Sequence, residues 1–112
     1  MLTKEILPAC PVETTLALIT SRWKVLVLRD LLDRGTMRFG ELQRSVGKVS
    51  QKMLTQSLRQ MEADGLVCRT VYAEVPPRVE YSLTPLGESM RPVLDAMLAW
   101  GESYQERVRA EA

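Results

Sequence analysis

The segment from Gly40 to Gly65 constrains this chain more than any other. Leu42 and Val46 stand four residues apart on one helical face, and Gly47 ends that pattern. Ser50 then offers an N-cap to a longer pattern, SQKMLTQSLRQMEAD, which Gly65 stops. A short helix, a turn containing glycine and a longer helix, spanning about residues 39–65, make a helix-turn-helix.

The flanks extend this unit. Pro11 suits a first helical position, and Val12, Leu16 and Ile19 follow at helical spacing, so a helix is expected from Pro11 to Ser21. A second begins near Ser21 to Trp23 and runs through KVLVLRDLLD to Arg34, where Gly35 stops it. It is apolar on most sides and is expected to lie at the centre of the fold. Thr36 to Phe39 reads as a small strand. After Gly65 the period changes to that of a strand: LVCRTVY, a proline-bearing connection and VEYSL read as a hairpin over about 66–83, the wing. Thr84 can cap, and Pro85 open, one last long helix to around Val108, about 85–108. The fold class expected is therefore mainly α with a small β-hairpin (α+β), a single winged helix-turn-helix domain over residues 1–112.

Composition narrows the function. At 112 residues, 46% hydrophobic and 26% charged, the chain matches one soluble globular domain. No apolar stretch approaches the ~18 residues that span a bilayer. The start, MLTKEILPACP, has no signal-peptide core, so a cytoplasmic protein with no membrane partner is expected. With no histidine and only two cysteines, Cys10 and Cys68, the common zinc sets and the Ser-His and Cys-His nucleophile pairs are excluded. No cofactor fingerprint is present either, which argues against an enzyme and leaves no cofactor or metal to expect. A reducing compartment would keep both cysteines as thiols.

The formal net charge of +1 conceals a division. Between Arg34 and Gln60 six basic residues (Arg34, Arg38, Arg44, Lys48, Lys52, Arg59) face one acid, Glu41, a net +5. From Val79 onward three basic and six acidic residues give −3. Such a dipole brings one region to a polyanion while the whole molecule stays nearly neutral.

The helix from Ser50 to Asp64 resolves into two stripes at about 100° per residue. Leu54, Leu58 and Met61 form the apolar one; Lys52, Thr55, Gln56 and Arg59 lie opposite, with Gln51 beside them. These side chains suit the major groove: Gln pairs with adenine, Arg or Lys with guanine, and Thr meets the thymine methyl. Lys48, the Ser50 hydroxyl and the first N–H groups of the helix are placed to meet phosphate. At the wing, Arg78 is a candidate for a minor groove or a phosphate, with a solvated loop arginine as the plainer alternative.

In the last helix Leu86, Met90, Val93, Met97, Trp100 and Tyr104 recur at heptad spacing. The stripe either packs on its own domain or closes a two-fold dimer. Two bulky aromatics near the end of so small a chain favour the dimer. Cys10 immediately precedes a helix start, whose dipole favours a thiolate. It is either a redox or electrophile sensor or a small structural residue. Cys68 lies in the first wing strand, where strand periodicity leaves its direction open.

Read together, CPVETTLALITSRWKVLVLRDLL and RFGELQRSVGKVSQKMLTQSLRQMEADGLVCRTVYAEVPPRVEYSLTPLGESM closely resemble the HxlR-type family of bacterial winged helix-turn-helix regulators over about residues 9–105. The motifs that carry the resemblance are Cys-Pro before the first helix, Arg22-Trp23-Lys24, Phe39-Gly40-Glu41-Leu42, Gln51-Lys52-Met53-Leu54 and the Pro-Pro-Arg-Val-Glu-Tyr wing. The resemblance implies a homodimer held by terminal helices, a reading helix from Gln51 to Arg59 and the Pro77-Arg78 wing beside it. In several such regulators the cysteine matching Cys10 senses oxidants, quinones, aldehydes or other electrophiles. Cys68 departs from the family, which usually carries a polar residue there.

The expected function is thus a transcriptional regulator that binds a roughly palindromic duplex DNA site as a homodimer, with a small oxidant or electrophile acting on Cys10. The alternative is a winged-helix protein-interaction module without sequence-specific DNA binding, whose exposed helix meets an acidic partner.

Overall fold

The computed structural model describes residues 2–111. In chain order the elements are α1 (Pro11–Ile19), α2 (Arg22–Arg34), β1 (Met37–Arg38), α3 (Phe39–Val46), α4 (Gln51–Ala63), β2 (Val67–Tyr72), β3 (Arg78–Leu83), α5 (Pro85–Glu88) and α6 (Arg91–Glu111). Structure and expectation agree to within a residue or two from α1 to β3.

Local chemistry explains the boundaries. The Ser21 and Ser50 hydroxyls accept from the Trp23 and Met53 amides, each at 3.1 Å, and so cap α2 and α4. At the start of α3 the Glu41 carboxylate accepts from the Arg38 amide at 2.9 Å. Between α3 and α4, Gly47 adopts φ +105°, a conformation that L side chains rarely take, and nothing would meet a Cβ there. The need for glycine is therefore set by the backbone and not by crowding. Val49, only 6% exposed, pins this turn into the core, and the Gln43 side-chain amide donates to its carbonyl at 3.3 Å.

The sheet is antiparallel with the order β1-β3-β2. Met37 pairs with Tyr81, and β2 and β3 pair from Val67↔Leu83 to Tyr72↔Arg78. Burying three helices against this sheet makes the core: Val27, Leu28 and Leu31 of α2, Leu42 of α3, and Leu54, Leu58 and Met61 of α4, all inaccessible or nearly so, with Met37, Leu66, Val67 and Tyr81 beneath them. The expectation of a central α2 holds.

The expected single C-terminal helix is two helices. Thr84 caps α5, its hydroxyl accepting from the Gly87 amide at 3.1 Å, and α5 ends after one turn. Pro92 is the cause. In an unbroken helix it would supply no N–H to the Glu88 carbonyl, and its ring would collide with that carbonyl. As the second residue of a new helix its missing N–H costs nothing. The joint is held by Arg91, whose guanidinium donates to the Leu32 carbonyl at 3.1 Å and to Glu88 at 3.3 Å.

This break divides the proposed heptad seam. Met90 sits in the joint at 7% exposure within its own chain, and Val93 packs against the same core. Leu86 lies on α5 and is 56% exposed. Of the seam's six residues, Met97, Trp100 and Tyr104 remain exposed along α6, where Leu98 and Val108 are exposed beside them. Of the six residues expected at a subunit interface, Met90 is therefore corrected to the monomer core, and Val93 is partly covered there.

Candidate nucleic-acid interface

Because Leu54, Leu58 and Met61 are committed to the core, the opposite side of α4 must face solvent, and its residues share one continuous shallow surface: Gln51, Lys52, Thr55, Gln56, Arg59 and Gln60. Five of these were expected from the sequence. Gln60, four residues after Gln56, was not singled out, although the same helical period contains it. Lys48 is exposed in the turn before α4. The Ser50 hydroxyl serves as the cap and retains its own O–H to donate. By position the Gln51 and Lys52 amides have no intrahelical acceptor, so the start of α4 combines N–H groups, the positive end of the helix dipole and two lysines.

The distribution of ion pairs reinforces this. Among the described residues the arginines that meet carboxylates are Arg29 with Asp30 at 2.8 Å, Arg78 with Glu74 at 3.3 Å, Arg91 with Glu88 at 3.3 Å and Arg107 with Glu111 at 3.3 Å. None lies on the face of α4 opposite Leu54, Leu58 and Met61. Lys48, Lys52 and Arg59 have no internal counter-ion among these pairs, and their charge is available to an external polyanion.

Arg78 is different. Its guanidinium lies 4.0 Å from the centroid of the Tyr72 ring. It is also 3.3 Å from Glu74 and 3.7 Å from Glu80. Register explains the contact, since Tyr72 and Arg78 are the cross-strand partners next to the hairpin's connecting loop. Arg78 is thus held within the wing between an aromatic face and two acids. It is therefore not the freely solvated loop arginine of the plainer alternative: the side chain is only 30% exposed and its charge is shared with Glu74 and Glu80.

Sequence reasoning also passed over Arg69. On β2, Val67 is buried, and by the two-residue period Arg69 shares its side of the strand. Arg69 lines a cleft of about 420 Å³ between α4 and the sheet, together with Gln51, Thr55, Arg59 and Glu62.

Cys10 is the exposed N-cap residue of α1; its carbonyl accepts from the Thr14 amide at 3.0 Å, and no side-chain cap bond forms. The helix it precedes packs on α2 and leaves Val12 and Leu16 exposed at 74% and 56%. Cys68 is likewise an exposed free thiol.

A model of the HxlR-like helix-turn-helix matches residues 18–109. The chain belongs to that family. The HTH-type transcriptional regulator YdeP of Bacillus subtilis (strain 168) is 48% identical over 99 residues, covering 88% of this chain and 77% of its own. Among solved structures, the redox regulator HypR in its reduced form superposes with a TM-score of 0.83 at 44% identity, covering 90% of this chain and 99% of that one. The reduced form of the transcriptional regulator YodB from B. subtilis has a TM-score of 0.74 at 35% identity, covering 87% and 95%. This member of the HxlR-like family is a transcriptional regulator with a DNA-binding helix-turn-helix, a class that is not enzymatic. No described helix is long and apolar enough to cross a membrane.

Proposed function

We propose that this HxlR-like protein acts in the cytoplasm as one winged domain per subunit, and that its homodimer reads a roughly palindromic operator through α4. The observation that carries the reading is the surface opposite Leu54, Leu58 and Met61, where Gln51, Lys52, Thr55, Gln56 and Arg59 stand together and where Lys52 and Arg59 make none of the ion pairs among the described residues. Base-reading donors beside uncompensated charge suit a duplex better than a protein groove. Dimerisation is supported by Met97, Leu98, Trp100 and Tyr104, exposed at 45%, 62%, 69% and 55%. Trp100 and Tyr104 stack with centroids 5.4 Å apart, and such an apolar surface on one helix calls for a cover. A two-fold protein in turn matches paired half-sites about one helical turn apart. The test is fluorescence anisotropy on duplexes from its own upstream region across a salt series; absence of binding at low salt refutes the reading.

A second layer of the reading concerns Cys10. The thiol is exposed, and the structural relatives include HypR in oxidised and reduced forms and YodB in reduced and diamide-treated forms. A quinone would be captured by conjugate addition: the Cys10 sulfur bonds to a ring carbon, and the thiol proton ends on a quinone oxygen, leaving a hydroquinone thioether. Modification at the start of α1, beside the exposed Val12 and Leu16, would disturb terminal helices that a dimer must pack. If Cys10→Ser protein still releases DNA normally on quinone or diamide treatment, this layer is wrong.

A further inference from the structure

The wing carries two basic residues, Arg69 and Arg78, and the fold treats them oppositely. Arg78 is stacked on Tyr72 and matched by Glu74 and Glu80. Arg69 is exposed, makes none of the described ion pairs and lines the cleft between α4 and the sheet. Across that cleft, Gln51, Thr55 and Arg59 belong both to it and to the reading surface of α4. Two guanidinium groups from separate elements therefore open onto one concave space, with a hydroxyl and an amide between them. Among the described residues Glu62 is the one acid lining the cleft, so the two arginines outweigh it.

We propose that this cleft is a phosphodiester site: Arg69 and Arg59 hold one backbone phosphate of the bound duplex, and Arg69 replaces Arg78 as the wing's cationic contribution. A planar guanidinium matches two phosphate oxygens at once. Continuity with the α4 surface favours the phosphate of a duplex being read there over a free anion. A backbone contact at this point would set how deeply α4 enters the groove without itself reading sequence. The inference rests on the DNA-binding reading above, and the experiment separates the two.

Wild type, Arg69→Ala, Arg69→Lys and Glu62→Gln are each titrated against the operator duplex and an unrelated duplex over a salt series, with thermal unfolding of each variant as the folding control. Loss of Arg69 weakens binding to both duplexes by about tenfold or more and lowers the salt slope by about one per protomer. Arg69→Lys retains the slope but loses part of the affinity, since a point charge replaces a fork. Glu62→Gln moves the other way, tightening binding to both, a sign that a merely structural role for Arg69 would not produce. Wild type that binds while Arg69→Ala binds equally at every salt concentration overturns this proposal alone. Loss confined to the operator overturns it in favour of a base contact. Wild type that binds neither duplex overturns the functional reading and this proposal with it.

Discussion

Gly87 lies so close to Leu66 that a Cβ built on it would stand 2.2 Å from the Leu66 carbonyl oxygen. At the same place the Thr84 amide donates to that carbonyl at 3.0 Å, and the Thr84 hydroxyl bonds to the Gly65 carbonyl at 2.5 Å. The end of α4, the start of β2 and the turn into α5 are thus fastened at one point, which ties the C-terminal helices to α4. Gly87→Ala cannot be absorbed by a side-chain shift, because the obstacle is backbone. A loss of about 1–3 kcal/mol is expected, as for other overpacking changes, read from urea unfolding with wild type alongside. An unchanged midpoint would show that α5 is free to move off β2.

On α4, replacing Gln56 by Ala is expected to reduce discrimination between operator and mutated sites, a lost base contact being worth about 1–3 kcal/mol. Lys48→Ala should instead weaken binding to all duplexes alike and flatten the salt dependence. Parallel titrations on matched and mismatched duplexes distinguish the two patterns.

Arg78→Ala should behave as a wing mutation and not as a DNA-contact mutation. Its guanidinium is spent on Tyr72, Glu74 and Glu80. Partial exposure screens those ion pairs, so a stability loss of about 0.5–1 kcal/mol is expected, mostly from the aromatic contact. The salt slope of DNA binding should match that of wild type; a slope reduced by about one would return Arg78 to the interface.

Trp100→Ala and Tyr104→Ala should shift the protein from dimer toward monomer without unfolding it, because both rings project from the domain they belong to. Central aromatic anchors of an interface typically cost about 2 kcal/mol or more on truncation, a change of roughly 30-fold in the dissociation constant. Light scattering over a dilution series measures it. Met90→Ala should do the reverse, lowering thermal stability by about 2–5 kcal/mol with the dimer constant much less affected.

Most of the helical framework was legible in one dimension. Ser50, the four- and three-residue spacing of Leu54, Leu58 and Met61, and Gly65 define α4 through local rules of capping and period, and those rules also imply the polar face opposite. The misreading of the C-terminal region had a local remedy too. Pro92 forbids an unbroken helix from Pro85, and only the attraction of a regular apolar repeat concealed it. Arg69 was accessible in principle, because the alternation that buries Val67 carries it to the same side of β2.

Arg78 was a different matter. Nothing near it in sequence says that Tyr72 will lie under its guanidinium; that follows from cross-strand register, which the length and geometry of the hairpin connection decide. The same holds for Met90, whose membership of a heptad and of the core are equally good patterns until α5 and α6 are placed against α2. By itself, then, the order of residues determined which elements form and which side of α4 carries donors and charge, since both depend on neighbours within a turn or two. Only the tertiary structure decided which of the wing's two arginines is ion-paired within the wing and which apolar side chains α6 leaves uncovered. Those outcomes rest on contacts between segments that only packing brings together.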